Sequence, residues 1–181
     1  MAGALLLAAL ALAPVHAQTA YFSGVVAILG GGFTNPIGTA VDPSGNVYVA
    51  DAIHNAVKEI PAGCASSTCV VTIGGGFGNP NGIAVDHSGN VYVADYNNFA
   101  VKKIPAGCTS STCVVPLGGG FSYPRGVAVD AGGNVYVGDT NNNLVKEMPP
   151  SCASSTCVST LGGGFSAPSG VAVDAGGNVY V

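Results

Sequence analysis

Charge is the scarcest commodity in this 181-residue chain: Asp, Glu, Lys and Arg together make up 8% of it, against roughly a quarter in an average soluble domain. Five residues are basic, and Arg125 is the single arginine. Nucleic acids and acidic membranes are bound by clustered cations, and a chain with a formal net charge of −4 cannot supply such a cluster. Tryptophan is absent. Sustained helical periodicity is missing after the first twenty residues, and so is any apolar run near the ~20 residues of a membrane span, because Gly, Asn and Pro interrupt every candidate. With so little charge, most of the chain must lie in packed sheet faces.

The first residues are the exception. Ala2 to Ala13 is an unbroken apolar run, Pro14 breaks it, and Val15-His16-Ala17 offers a small-residue cleavage site before Gln18. Residues 1–17 are expected to be a secretory signal peptide, although no Lys or Arg precedes the run; a retained N-terminal anchor is the alternative. The mature protein would be secreted or periplasmic, with no integral membrane span after cleavage.

What the chain has in quantity is repetition. Gly-Gly-Gly-Phe recurs at Gly30–Phe33, Gly74–Phe77, Gly118–Phe121 and Gly162–Phe165, each start 44 residues after the last. The repeats are thus 30–73, 74–117 and 118–161, with a partial fourth at 162–181. Each complete unit contains four short runs rich in Val, Ile and Tyr, in the first unit Gly38–Asp42, Asn46–Ala50, Ala56–Ile60 and Cys69–Ile73. Gly, Pro, Asn, Asp and Ser separate them. Asp42-Pro43-Ser44-Gly45-Asn46 suits a tight hairpin, Pro presetting φ and Gly supplying the left-handed position. Val47-Tyr48-Val49-Ala50 is apolar throughout, as a strand buried on both faces would be. Four strands per period of this length make a blade, and the fold class is an all-β propeller of four-stranded blades.

The segments PIGTAVDPSGNVYVAD, PNGIAVDHSGNVYVAD, PRGVAVDAGGNVYVGD and PSGVAVDAGGNVYV resemble NHL repeats, and the resemblance covers about Gly30 to Val181. It implies a propeller, usually of six blades. One departure is that Ala56, Ala100 and Leu144 stand where NHL repeats commonly carry Arg or another long polar residue. Val25–Leu29 aligns with the outermost strand one period later, so residues 18–29 are expected to supply a closing outer strand. The chain is expected to be a fragment of a six-bladed ring.

Six cysteines occur as Cys64/Cys69, Cys108/Cys113 and Cys152/Cys157, one pair per loop before an outer strand. In an exported chain these read as three local disulfides, each contributing about 2 kcal/mol by the loop-entropy estimate. A zinc site is disfavoured, since the spacing is not CxxC and no His lies in the loops. Asp42, Asp86, Asp130 and Asp174 are expected to cap hairpins; a calcium loop would need more carboxylates. Asp51, Asp95 and Asp139 are expected to bind loop amides of their own blade; the alternative is that some of these acids line a functional mouth. The Gly-Gly-Gly runs lack the following Lys-Ser/Thr and helix of a phosphate loop. No metal or other cofactor is expected. Propeller lyases similar in fold to NHL proteins gather several His from different blades around a metal; here only His54 can reach that face. No Ser–His–Asp or Cys–His set can be assembled on one face.

The Cys loops are near copies, AGCASSTC, AGCTSSTC and PSCASSTC, whereas the crossover loops and the loops between second and third strands diverge. Candidate ligand-contacting residues on that variable face are Asn35, His54, Asn79, Asn81, Tyr96, Asn98, Tyr123, Arg125 and Asn142. Arg and Tyr are enriched at binding hot spots. The expectation is a noncatalytic module that binds a protein, peptide or carbohydrate ligand, or serves a structural role. The alternative is part of a lyase- or lactonase-type propeller enzyme with its catalytic residues on other blades.

Overall fold

A computed structural model describes residues 29–181. The signal-peptide reading of residues 1–17 lies outside the described residues, as does all of the closing segment at 18–29 but Leu29. Three four-stranded antiparallel sheets follow one another, each in the sequential order of a meander. The first contains β1 (Pro36–Val41), β2 (Val47–Asp51), β3 (Ala56–Ile60) and β4 (Val71–Ile73); the second contains β5 (Pro80–Val85), β6 (Val91–Asp95), β7 (Ala100–Ile104) and β8 (Val115–Leu117). The third contains β9 (Pro124–Val129), β10 (Val135–Asp139), β11 (Leu144–Met148) and β12 (Ser159–Thr160), and a fourth, two-stranded sheet pairs β13 (Ala172–Val173) with β14 (Val179–Tyr180). These are the blades of a β-propeller, with the inner strands β1, β5, β9 and β13 neighbouring in turn.

Of the four strands expected in the first unit only Ala56–Ile60 is found unchanged; β2 runs Val47–Asp51 rather than Asn46–Ala50, and β1 ends at Val41 rather than Asp42. β1 begins at Pro36 rather than Gly38, because Pro36 pairs with Asp51 across an irregularity that precedes the Thr39–Val49 pair. The outer strand shortens to Val71–Ile73 because Ser67–Cys69 forms a 3-10 turn.

The core lies between blades. Tyr48 and Ala50 face forward from the first blade and meet Val91, Val93, Ile104 and Phe77 of the second. The alternate residues Tyr92 and Ala94 face the other way and meet Phe121, Val127, Val135 and Met148 of the third. A continuous apolar strand thus serves two neighbours by its period of two. Val93 and Ala94 are both fully buried, and complete burial of a Val side chain stabilises by about 1.5–3 kcal/mol.

At the axis the inner strands approach closely, and the glycine of each Pro-x-Gly step permits it. A Cβ on Gly82 would collide with the Arg125 carbonyl oxygen; one on Gly126 would lie 2.8 Å from both the Ser169 carbonyl oxygen and the Val171 nitrogen. Real Cβ contacts do not occur at such distances.

The hairpins opposite the crossovers are held by their aspartates. Asp42 accepts hydrogen bonds from the Ser44 and Asn46 amides, both 2.9 Å, from the Asn46 side chain at 2.8 Å and from the Tyr48 hydroxyl at 3.1 Å. Asp86 and Asp130 repeat the bonds to Asn and Tyr. Burial pushes these carboxyls up, but the donated hydrogen bonds outweigh it and hold all three below the ordinary Asp value. Burial and the same bonds push Tyr48 and Tyr136 up to about 12.

Two outcomes follow. Gly82→Ala should lower stability by at least about 2 kcal/mol in urea unfolding, through overpacking against backbone. Gly163→Ala, where a Cβ meets nothing within 4 Å, should change it by less than about 0.5 kcal/mol. Because the hairpin carboxyls titrate lower when folded than when unfolded, their stabilisation should be complete above about pH 5 and fall as pH drops through their folded values. Denaturant titrations between pH 7 and pH 2 read this directly.

Candidate binding face

Each blade carries a buried carboxylate at the end of its second strand. Asp51, Asp95 and Asp139 have no solvent exposure. Each accepts a hydrogen bond from a crossover amide of its own blade, Thr34 at 2.7 Å, Gly78 at 2.6 Å and Ser122 at 2.6 Å. Each also pairs at 2.6 Å with a lysine from the third strand: Lys58, Lys102 and Lys146. The lysines in turn donate to the carbonyls of Gly32, Gly76 and Gly120 and lie over the rings of Phe33, Phe77 and Phe121. This node ties the glycine-rich crossover to the sheet, and it occupies all three lysines on this side of the blades. For Asp51, burial raises the carboxyl, while hydrogen bonds from Lys58, then His54 and the Thr34 amide, bring it below its ordinary value.

The node accounts for three of the candidate residues. Asn98 and Asn142 donate to Asp95 and Asp139 at 2.8 and 2.7 Å. His54 holds the equivalent place in the first blade, its Nδ1 2.7 Å from Asp51 Oδ2. Its Nε2 is 3.4 Å from the Thr34 hydroxyl, so the fold lines up Thr34, His54 and Asp51 although the sequence offered no Ser–His–Asp set. The same Asp51 oxygen is shared with Lys58, and the nearby amides of Ala52, Ile53 and Asn55 are bonded to backbone carbonyls. The repeat comparison puts His54 at the position of Asn98 and Asn142.

Hydrogen bonds from the Ala52 and Ile53 amides to the Asn35 and Thr34 carbonyls, from Asn97 to Gly78 and from Asn141 to Ser122 place crossover and second-to-third-strand loops on one face. Two left-handed residues recur there in every repeat. One ends the second loop (Asn55, Phe99, Asn143), and the other precedes the inner strand (Asn35, Asn79, Tyr123, Ala167). Between the first and second blades they form a latch: Asn55 Oδ1 accepts from the Asn79 amide at 2.7 Å. Between the third and fourth, Asn143 Oδ1 accepts from the Ala167 amide at 2.9 Å.

The boundary between the second and third blades is built differently. Phe99 and Tyr123 replace the latch and meet edge to face, with centroids 4.6 Å apart. Tyr96 packs on Tyr123 at 4.8 Å, and the Arg125 guanidinium lies 5.4 Å from the centre of the Tyr96 ring. Asn tolerates the left-handed conformation, but bulky side chains pay about 1–3 kcal/mol there. An aromatic pair contributes about 0.5–1.5 kcal/mol, so the exchange yields little stability. Phe99 nevertheless stays 46% exposed.

The structure therefore joins Tyr96, Tyr123 and Arg125, three of the candidates, and adds Phe99. The signal for Phe99 was its place among Asn55 and Asn143 at a shared repeat position. Asn81 lies with Arg125 along a depression of about 240 Å³ at the axis, lined by Gly38, Gly82, Gly126 and Ser169. Asn35 is exposed at its own blade entry, and the Asn79 side-chain oxygen is buried without a hydrogen-bond partner. The cysteines join as Cys64–Cys69, Cys108–Cys113 and Cys152–Cys157. Among the described residues, no group of three or more His, Cys, Asp and Glu could hold a metal, and no helix is long and apolar enough to cross a membrane.

The NHL repeat model matches residues 33–59, 77–104 and 121–147, one match per blade. The chain belongs to the NHL-repeat β-propellers. A chain in the crystal structure of a nidogen/laminin complex matches this NHL propeller with a TM-score of 0.65 and 25% identity, covering 77% of it and 53% of that chain. Hydrazine synthase of Kuenenia stuttgartiensis gives a TM-score of 0.66 at 15% identity, over 87% of this chain and 43% of that one. Virginiamycin B lyase of Staphylococcus aureus gives 0.62 at 12%, over 80% and 47%. The latter two likenesses are of fold alone. The NHL chain spans about half the length of these structures, and the fold is shared by binding proteins and enzymes alike. No curated protein matches it in sequence.

Lys102→Met should destabilise by about 3 kcal/mol, since it strands the buried Asp95 charge. Adding Asp95→Asn should recover part of that loss, giving a coupling of at least about 1 kcal/mol in a double-mutant cycle read by urea unfolding.

Proposed function

We propose that the protein is a secreted, noncatalytic NHL propeller that binds a protein or peptide partner through the face carrying the crossovers. The observation that carries this reading is the aromatic boundary. Phe99 and Tyr123 stand where other repeats carry Asn, Tyr96 and Arg125 come from positions that vary in every repeat, and the four form one contiguous cluster at one junction. Left-handed strain with little stabilisation in exchange, and an exposed ring, are what a surface kept for binding looks like. Local disulfides and the apolar N-terminal run both suit export, with cleavage before Gln18. The match to a chain of a nidogen/laminin complex adds a protein-binding precedent on a similar scaffold.

The test is selection of a displayed random 12-residue peptide library on the immobilised protein. A consensus should emerge whose binding weakens at least tenfold in Tyr96→Ala/Tyr123→Ala/Arg125→Ala, with the melting transition cooperative. Binding that ignores the triple variant but is lost on altering the Cys loops, without unfolding, would place the site on the other face. Exported protein should begin at Gln18 and carry six hydrogens fewer than its reduced form by intact mass.

A further inference from the structure

Resting on that reading, we infer that the boundary between the second and third blades recognises an acidic side chain of an extended peptide, its carboxylate on Arg125 and a neighbouring apolar or proline side chain against the exposed Phe99 ring. Arg125 is the only guanidinium in the chain, and it makes no ion pair among the described residues. Its equivalents in the other repeats are Ile37, Asn81 and Ser169, so no structural demand of the repeat places a cation there. Its guanidinium carbon lies 5.4 Å from the centre of the Tyr96 ring and the residue is exposed, so its donors are open to a bidentate carboxylate. It stands beside the axial depression, whose other polar lining residues include Asn81 and Ser169.

The size of the charge selects among anions. Every lysine near this face is committed to a buried aspartate, so one cation is available. A single guanidinium matches a monovalent carboxylate, whereas phosphorylated or sulfated polyanions are bound by clusters of cations. The aromatics select between peptide and sugar. A pyranose stacks on a flat exposed ring, but here Tyr123 is flanked by Tyr96 at an interplanar angle of 49° and by Phe99 at 79°. The surface is a packed cluster of tilted rings with Phe99 left partly open, and a proline or aliphatic side chain suits such an uneven apolar surface.

Parallel selections with the same displayed library on wild type and on Arg125→Glu test this. The wild-type consensus should hold Asp or Glu at one fixed position beside an apolar residue, and the Arg125→Glu consensus should lose that acid or replace it with Lys or Arg. In synthetic, C-terminally amidated versions of the winning peptide, changing the acid to its amide should weaken binding to wild type at least tenfold and to Arg125→Gln less than twofold. A wild-type consensus that needs Tyr96 and Tyr123 but contains no acid overturns this inference and leaves the binding reading standing. A library that yields no consensus overturns both. Binding of oligogalacturonate with no binding of the amidated peptides would also overturn it, assigning the carboxylate to a sugar.

Discussion

A four-stranded blade of this sequence has two apolar faces and cannot bury either one by itself. Everything else in the structure answers that constraint. The second strand of each blade is apolar at every position before its aspartate because its alternate residues face different neighbours. Phe77 and Phe121 of the crossovers pack where one blade meets the next. The inner glycines are there because the strands that begin the blades must pass within backbone contact of one another at the axis. Strand pairing within a blade organises the chain, and the two larger apolar clusters lie between blades.

Much of this was legible in the sequence. A period of 44 residues without insertion fixes equivalent positions in every repeat, and the turn-forming residues mark four strands in each. Asp-x-Ser-Gly-Asn and Asp-Ala-Gly-Gly-Asn announce a capped hairpin because the carboxylate and the left-handed glycine are both local. What was not legible depends on strand register. Lys58, Lys102 and Lys146 look like ordinary polar strand residues, and only the antiparallel pairing of second and third strands brings them to Asp51, Asp95 and Asp139. The same node holds His54, Asn98 and Asn142 against those carboxylates, a role that strand order alone does not announce. Phe99 is marked only by comparison between repeats, as an aromatic at a position that elsewhere holds Asn with its tolerance of positive φ.

The two kinds of junction show how a repeat protein acquires an individual surface. The asparagine latches are economical, one side-chain oxygen meeting one amide across each boundary. At the aromatic junction that hydrogen bond is replaced by rings, with the Asp–Lys node beneath left intact. The buried ion pairs hold the crossover in place whatever stands above it, so the outer layer can change without disturbing the sheet.

The aromatic cluster is also divided between two repeats. Tyr96 and Phe99 belong to one 44-residue unit, and Tyr123 and Arg125 to the next. Exchange of whole units by in-frame recombination would preserve every latch position, disulfide and buried carboxylate, yet would separate the two halves of the cluster. Heredity of the surface therefore rests on the order of the units, and two genes with the same repeats in a different sequence would encode the same scaffold with different recognition.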